Sequence, residues 1–168
     1  DNGRSRGLGD VYKRQLRDSN IEDLILDLRY NGGGYLDIAN ELAYMIAGPN
    51  ATSGRTFESQ QFNDKHPSVN PVTGASLVPR SFHNQAQGFS VDRGVLLPYL
   101  DLSRVYVLTS GNTCSASEAI INGLRGIDVE VIQIGTTTCG KPYGFYEMAN
   151  CGTSYFSIQF KGVNAKGY

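Results

Sequence analysis

The stretch Ile21 to Gly34, IEDLILDLRYNGGG, decides the fold class of this chain. Its first nine residues, 21 to 29, are rich in isoleucine and leucine and predict a β-strand. The run Asn31 to Gly34 predicts a tight glycine turn, and an amphipathic helix is expected from 35 to 47, ended by the Gly-Pro pair that follows it. A strand, a glycine turn and a helix in this order form a building unit of α/β proteins.

The rest of the chain continues the alternation of strands and helices. Further strands are predicted at 54–62, 105–109 and 129–134, a helix at 115–125, and a pair of strands within 143–160 that turns near Asn150 to Gly152. Residues 63–87 are polar, contain prolines and lack apolar periodicity, so they predict a long loop or a flap that covers a cleft. The pattern as a whole predicts an α/β fold.

Composition excludes several classes of protein. The chain has 168 residues, of which 40% are hydrophobic, and this is enough to bury one core. The formal net charge is -1 and the basic residues form no stripe, so nucleic acid is not expected as a partner. No apolar run approaches the roughly 18 residues that a membrane-spanning helix needs.

The first 15 residues, DNGRSRGLGDVYKRQ, have no apolar periodicity and are rich in arginine and glycine. We interpret residues 1–15 as an unstructured or artefactual leader and exclude them from fold prediction. Residues 16–168 are then expected to form one domain, which we interpret as a fragment truncated at both ends.

The three cysteines leave one thiol unpaired in any scheme with a single disulfide. Cys139 and Cys151 bracket a glycine-containing stretch and could pair in an oxidising compartment, which would leave Cys114 free. Three reduced thiols are equally compatible with the sequence, so both alternatives stay open.

The stretch Asn112 to Ile120, NTCSASEAI, has two interpretations. Ser115 and Glu118 match the S-x-x-E capping box that starts many helices. Alternatively, Ser115 is a nucleophile at the positive end of a helix, but a serine hydroxyl then needs a neighbouring base to remove its proton.

The candidate base is Lys141, which follows a predicted strand and lies between Gly140 and Pro142. A lysine acts as a base only when its amine is neutral, and burial favours the neutral form. The hypothesis therefore expects Lys141 to be buried. His66 and His83 lie in the polar 63–87 region and are interpreted as solvated surface residues.

An oxyanion site would complete such a centre. Glycines between a strand and a helix let backbone amides approach a ligand oxygen closely. The amide of Gly33 or Gly34, together with that of Ala116, is expected to bind the oxyanion of a tetrahedral intermediate. The competing interpretation is that these glycines make only a tight turn.

Three motifs in this order resemble those of the C-terminal processing peptidases, or tail-specific proteases. They are Asp27 to Gly34 (DLRYNGGG), Asn112 to Glu118 (NTCSASE) and Gly135 to Lys141 (GTTTCGK). The resemblance implies a crotonase-like α/β core with a mixed sheet and flanking helices, an envelope location, and cleavage of polypeptides near their carboxyl ends. It also implies that Ser115 is the nucleophile, that Lys141 is the general base, and that Gly33 or Gly34 and Ala116 supply the oxyanion donors. No cofactor is implied.

The chain departs from the family pattern at Phe145. A glutamine that orients the lysine commonly stands four residues after it, but this chain has Phe145 at that position. A binding module with the same fold and an idle site is therefore the alternative to a peptidase. Asp27 and Arg29 are interpreted as residues that brace the glycine turn, and Glu118 as an anchor of the helix start.

Nucleotide and metal sites are not supported by the motifs. Gly135 to Lys141 has the spacing of a phosphate-binding loop, but Pro142 stands where a hydroxyl must ligate magnesium. Asp37 replaces the last glycine of a dinucleotide motif that would begin at Gly32. The cysteines have neither the CxxC spacing nor the histidine pair of a zinc site. The sequence leaves the oligomeric state open.

Overall fold

A computed structural model describes residues 15–89 and 91–168. The proposed leader therefore lies outside the described residues, apart from Gln15, which begins a helical turn at 15–18. The elements are β1 (Ile25–Asp27), α1 (Leu36–Thr52), β2 (Thr56–Gln61), β3 (Arg80–Ser81), β4 (Arg104–Thr109), α2 (Ala116–Gly126), β5 (Glu130–Gly135), β6 (Tyr143–Gly144), β7 (Met148–Asn150), β8 (Thr153–Tyr155) and β9 (Phe160–Val163). No helix among the described residues is long and apolar enough to cross a membrane.

The strands form parallel and antiparallel sheets. A parallel sheet has the strand order β1-β4-β5, in which Ile25 pairs with Tyr106 and Tyr106 with Ile132. A four-stranded sheet has the order β3-β2-β9-β6, and β7 and β8 form a separate hairpin. The predicted α/β class is thus confirmed as a mixed α/β fold with flanking helices. The crotonase-like assignment stays a prediction.

The core lies where α1 and α2 pack together and against the strands. Its fully buried side chains include Ile46 of α1, Leu124 of α2, Val105 and Val107 of β4, and Phe57 of β2. Burial of a large aliphatic or aromatic side chain contributes about 1.5–3 kcal/mol, so this cluster fixes the relative positions of the two helices.

Two predicted elements differ from the observed ones. The helix predicted at 35–47 does not end at Gly48; the chain kinks there with φ 71° and continues as a helical turn from Pro49 to Thr52. Proline fits the first position of a new turn because it has no N–H to satisfy there. The predicted strand pair within 143–160 is a short hairpin, β7–β8, whereas residues 143–144 and 160 belong to the four-stranded sheet.

Residues 63–87 do not form a flap over the cleft described below. Ser81 O accepts a hydrogen bond from buried Asn40 of α1 (2.8 Å), and Phe82 and Ala86 are buried. Polar groups of residues 80–87 are used in hydrogen bonds to α1, and none of residues 63–87 lines the cleft.

We expect Gly48→Ala to lower the free energy of unfolding by about 2–4 kcal/mol, as measured by denaturant titration. An alanine here would adopt a positive φ and would also place its Cβ 2.4 Å from Asp101 Oδ1. Gly54→Ala is the matched control, since Gly54 has φ 67° but nothing within 4 Å of a Cβ. Equal losses in the two variants would contradict the steric role of Gly48.

Candidate active site

The carboxyl ends of β1, β4 and β5 meet in front of the start of α2. Asn31 follows β1, Ser115 precedes α2, and Lys141 follows β5. Carboxyl ends of parallel strands converge at one edge of a sheet, where α/β proteins commonly bind ligands. The topology therefore brings together three segments that are far apart in sequence.

These segments line a cleft of about 570 Å³. Its wall includes four of the predicted site residues, namely Gly34, Ser115, Ala116 and Lys141. Gly33, the fifth, lies directly behind: a Cβ at Gly33 would be 2.8 Å from Ser115 Cβ and 3.3 Å from Ala116 N. Only a glycine permits this approach, so Gly33 lets the turn pack directly against the start of α2.

Ser115 begins α2 in an unusual backbone conformation, with φ 58° and ψ -117°. A positive φ at a residue other than glycine costs about 1–3 kcal/mol, and such residues occur in turns and cluster at functional sites. The glutamate half of the capping box is formed, since Ser115 N–H donates to Glu118 Oε2 (2.8 Å). The capping and cleft-lining roles of Ser115 therefore coexist.

Glu118 also fixes the segment that carries the lysine. Its carboxylate accepts hydrogen bonds from Thr138 Oγ1 (2.7 Å), Gly140 N (2.8 Å) and Lys141 N (2.9 Å). The predicted role of Glu118 as an anchor of the helix start is confirmed, but its bonds to residues 138–141 were not expected from the sequence. One carboxylate thus joins the backbones of Ser115 and Lys141.

The same contacts determine the ionisation of Glu118. Burial raises the pKa of Glu118, but the hydrogen bonds from Thr138 and from three backbone amides outweigh it, so the pKa lies below its usual value. Glu118 is therefore a carboxylate at neutral pH and acts as an acceptor for the amides that surround it.

A disulfide joins the same two segments. Cys114, next to Ser115, is bonded to Cys139, two residues before Lys141, and Cys151 is a free, exposed cysteine. The pairing of Cys139 with Cys151 considered from the sequence is wrong, as is the alternative of three free thiols. Cys151 lies on the turn of the β7–β8 hairpin, whereas Cys139 N–H donates to Thr113 O (3.0 Å), beside Cys114.

Cys114, Glu118 and Cys139 bring their potential ligand atoms within 4.8 Å of one another. Both sulfurs are held in the disulfide, and a metal binds the thiolate form of cysteine. The cluster is therefore a structural clamp in this state.

The expectation that Lys141 is buried is wrong, since this residue is exposed. Its Nζ lies 5.2 Å from the centroid of the Phe145 ring. Phe145 is the residue that stands where the family motif commonly has glutamine. Within the part of the chain that the structure describes, Lys141 Nζ and Ser115 Oγ form no hydrogen bond with each other. Lys141 is exposed because only its backbone is held, by Glu118, while its side chain lies along the open cleft.

The glycine turn is braced by Asn31, which the sequence analysis did not single out. Asn31 Oδ1 accepts from Gly33 N–H (2.9 Å), and Asn31 O accepts from Cys114 N–H (3.2 Å) and Ser117 Oγ (3.0 Å). Asp27 and Arg29, expected to brace the turn, form an exposed ion pair with each other (2.7 Å). The Gly33 amide is therefore already hydrogen-bonded within the turn.

The prediction that His83 is a solvated surface residue is wrong. Its Nε2 lies 3.0 Å from Asp37 Oδ1 and its side chain is 22% exposed. His66 is half-buried, and neither histidine lines the cleft.

The parallel sheet, the glycine turn and the helix-capping serine define an α/β protein with an enzyme-like cleft at the carboxyl ends of its strands. The chain belongs to peptidase family S41, a family of serine peptidases, whose sequence model matches residues 6–146. The predicted relationship to the C-terminal processing peptidases is thereby confirmed. The match begins inside the stretch interpreted as a leader.

The solved structures that are similar to the chain include the following two. One is a putative S41 protease from Bacteroides fragilis NCTC 9343, with a TM-score of 0.69 and 27% identity over 95% of this chain and 38% of that one. The other is a lipoprotein from Streptococcus agalactiae, with a TM-score of 0.59 and 16% identity over 97% of this chain and 52% of that one. The chain thus spans about two fifths of the length of the first protein and about half of the length of the second. None of the curated proteins matches this chain.

We expect the double variant Cys114→Ser/Cys139→Ser to lose roughly 3 kcal/mol of unfolding free energy, because the disulfide closes a loop of about 25 residues. Denaturant titration without reductant measures the loss, and Cys151→Ser is the control that should match the wild type. An unchanged midpoint in the double variant would show that the clamp does not stabilise the fold.

We expect Glu118→Ala to lower the free energy of unfolding by about 1–2 kcal/mol at neutral pH, a value that allows for its partial exposure. The pKa of Glu118 is depressed, so its contribution is present above the ordinary glutamate pKa and is lost as pH falls through the folded-state value. Denaturant titrations over a pH series should therefore show the variant and the wild type converging in acid. Glu22→Ala, at an exposed site, is the control.

Proposed function

We propose that this chain is the catalytic part of a serine endopeptidase in which Ser115 attacks the substrate and Lys141 is the general base. The observation that carries the proposal is that Ser115, in its strained conformation at the start of α2, lines the same cleft as Lys141. Membership of family S41 supports a polypeptide as the substrate.

The proposed reaction begins with a peptide whose carbonyl carbon lies against Ser115 Oγ. Lys141 Nζ, as a neutral amine, takes the hydroxyl proton while the serine oxygen bonds to that carbon. Because Nζ lies over the Phe145 ring in the structure, the lysine side chain must turn towards Ser115 for this step. Its backbone stays fixed by Glu118, so the change is confined to the side-chain rotamer.

The oxyanion of the tetrahedral intermediate would be bound by the N–H groups of Gly34 and Ala116. Both residues line the cleft, and Ala116 is the first residue of α2, where helix amides have no intrahelical partner. The tetrahedral intermediate then expels the amine of the departing peptide, which receives the proton from Lys141. Water, deprotonated by Lys141, hydrolyses the acyl-enzyme.

A second candidate function is peptide binding without cleavage. It is favoured by one observation, the placement of Lys141 Nζ over Phe145 and not beside the serine hydroxyl. A cation over an aromatic ring is stabilised in its charged form, which cannot act as a base. Ser115 in a positive-φ conformation has no evident purpose in a binding module, and we therefore favour the peptidase.

Three further features of the proposal depend on resemblance. The crotonase-like core and cleavage near carboxyl ends follow the C-terminal processing peptidases. An extracytoplasmic location is supported by the disulfide, which persists in oxidising compartments, and by the similar fold of a protein described as a lipoprotein.

We expect a fluorophosphonate probe to label the intact protein and not its Ser115→Ala variant. Lys141→Ala should reduce peptide cleavage by about 10²- to 10⁴-fold, the usual contribution of a general base. Ser154→Ala and Lys65→Ala, both exposed and outside the cleft, are matched controls that should retain the wild-type rate.

The pH dependence of cleavage provides a further readout of the same experiment. The rate should fall as the pH is lowered, because the base must be unprotonated. A rate that is flat between about pH 5 and 9 would contradict a lysine base. Peptide binding with no probe labelling would instead support the idle binding module.

A further inference from the structure

Glu58, on β2, is a second carboxyl group in the candidate cleft and has no part in the proposed chemistry. It lines the 570 Å³ cleft together with Ser115 and Lys141. Its Oε2 is buried and has no hydrogen-bond partner among the described residues. A buried carboxyl oxygen without a partner is unfavourable, so a ligand group that supplies a donor would gain free energy there.

The fold provides space for this carboxyl group. Gly162 of β9 lies beside it, and a Cβ at Gly162 would come within 2.1 Å of Glu58 Oε1. Glycine is thus required next to the carboxyl group in its present position. Gly162 pairs with Gln60 in the strand register, and its lack of a side chain leaves the space that the Glu58 carboxyl group occupies.

The cation nearest in the sheet does not neutralise Glu58. Arg80 of β3 pairs with Glu58 in the strand register, but its guanidinium donates to Asp37 Oδ1 (2.8 Å). Asp37 thereby holds Arg80 in an ion pair of its own. Glu58 therefore has no ion pair among the described residues, and a substrate cation in the cleft would meet its carboxyl group after a turn of the Glu58 side chain.

The pKa of Glu58 lies close to neutral pH, so a cationic partner can change its ionisation. Burial raises the pKa of Glu58 to about 7, an effect that the charge of Arg80 only partly opposes. At neutral pH the group is then close to half ionised, and a bound cation would favour the carboxylate.

The remaining cleft wall suits the stem of a long basic side chain. Leu36, Ala119, Pro142 and Phe160 line the cleft beside Glu58. Lysine and arginine place methylene groups along apolar surface while their charged ends reach a polar partner. Apolar walls with one unpartnered carboxyl group therefore match this shape.

We propose that Glu58 is a specificity-determining residue that selects peptides with a lysine or arginine side chain near the bond to be cleaved. The inference rests on the proposed function to the extent that it takes this cleft as the peptide site. A neutral hydrogen-bond donor such as glutamine is the competing ligand, but it gains less from an ionised partner than a cation does.

Other ionisable groups near Glu58 do not replace the substrate cation. Glu118 is committed to the amides of residues 115, 140 and 141. Lys141 Nζ lies over the Phe145 ring and forms no ion pair with Glu58 among the described residues. The Tyr146 hydroxyl donates to Gln60 Oε1 (3.2 Å) and accepts from Asn70 Nδ2 (2.9 Å).

The test measures peptide binding to the intact protein carrying Ser115→Ala, so that no cleavage is needed. Fluorescent peptides that differ only in lysine, norleucine or glutamine at one position are titrated, with that position moved along the peptide. At one position lysine should bind about tenfold or more tightly than norleucine. Adding Glu58→Gln should remove this preference, so that the lysine and norleucine peptides bind with similar affinity.

The pH series and two further variants make the result specific. The lysine preference should be greatest above about pH 7 and should weaken by up to tenfold per unit below it, because the carboxyl group must then lose its proton on binding. Gly162→Ala, which displaces the carboxyl group, should also reduce the preference. Glu147→Gln, at an exposed site outside the cleft, should not change it.

Two results would overturn the inference: no position at which lysine is preferred, or a preference that survives Glu58→Gln. A preference for glutamine over lysine would show that the ligand of Glu58 is a neutral donor and not a cation, and this result would also contradict the inference. Lysine-selective binding by Ser115→Ala, combined with no cleavage by the wild type, would leave this inference standing and reject the peptidase.

Discussion

The site depends on the carboxylate of Glu118 and the amides that surround it. This group accepts hydrogen bonds from the backbones of Ser115, Gly140 and Lys141 and from the hydroxyl of Thr138. Segments separated by more than twenty residues in sequence are thereby held at one point. Charge-assisted hydrogen bonds are about twice as strong as neutral ones, and several of them at one carboxylate make its position well defined. The disulfide between Cys114 and Cys139 reinforces the same junction covalently.

The second constraint is the close approach of the glycine turn to the start of α2. Gly33 is close enough to Ser115 and Ala116 that any side chain there would clash, and Asn31 fixes the turn through its side chain and its carbonyl. Preorganised amides of this kind need no rearrangement when charge develops on a ligand oxygen. The backbone of the site is therefore held by several contacts, whereas the Lys141 side chain lies over Phe145 and Glu58 Oε2 has no hydrogen-bond partner among the described residues.

The elements of this chain were largely predictable because they follow local patterns. Alternation of apolar and polar residues located β2, strand-like segments located β4 and β5, and the capping box located the start of α2 to within one residue. Three motifs in the correct order identified family S41. The continuation of α1 beyond Gly48 was missed, because a glycine followed by a proline usually ends a helix, whereas here Asp101 packs against the glycine and a new turn begins at Pro49.

The sequence by itself determined the α/β class, the family and the candidate residues Gly33, Gly34, Ser115, Ala116 and Lys141, since each of these depends on residue type and spacing. The tertiary structure decided which cysteines pair, which amide of the glycine turn is already bonded, how exposed Lys141 is and where Glu58 lies. These properties depend on distances between segments remote in sequence. Cys151 is nearer to Cys139 along the chain than Cys114 is, yet parallel pairing of β4 and β5 brings Cys114 and Cys139 together in space.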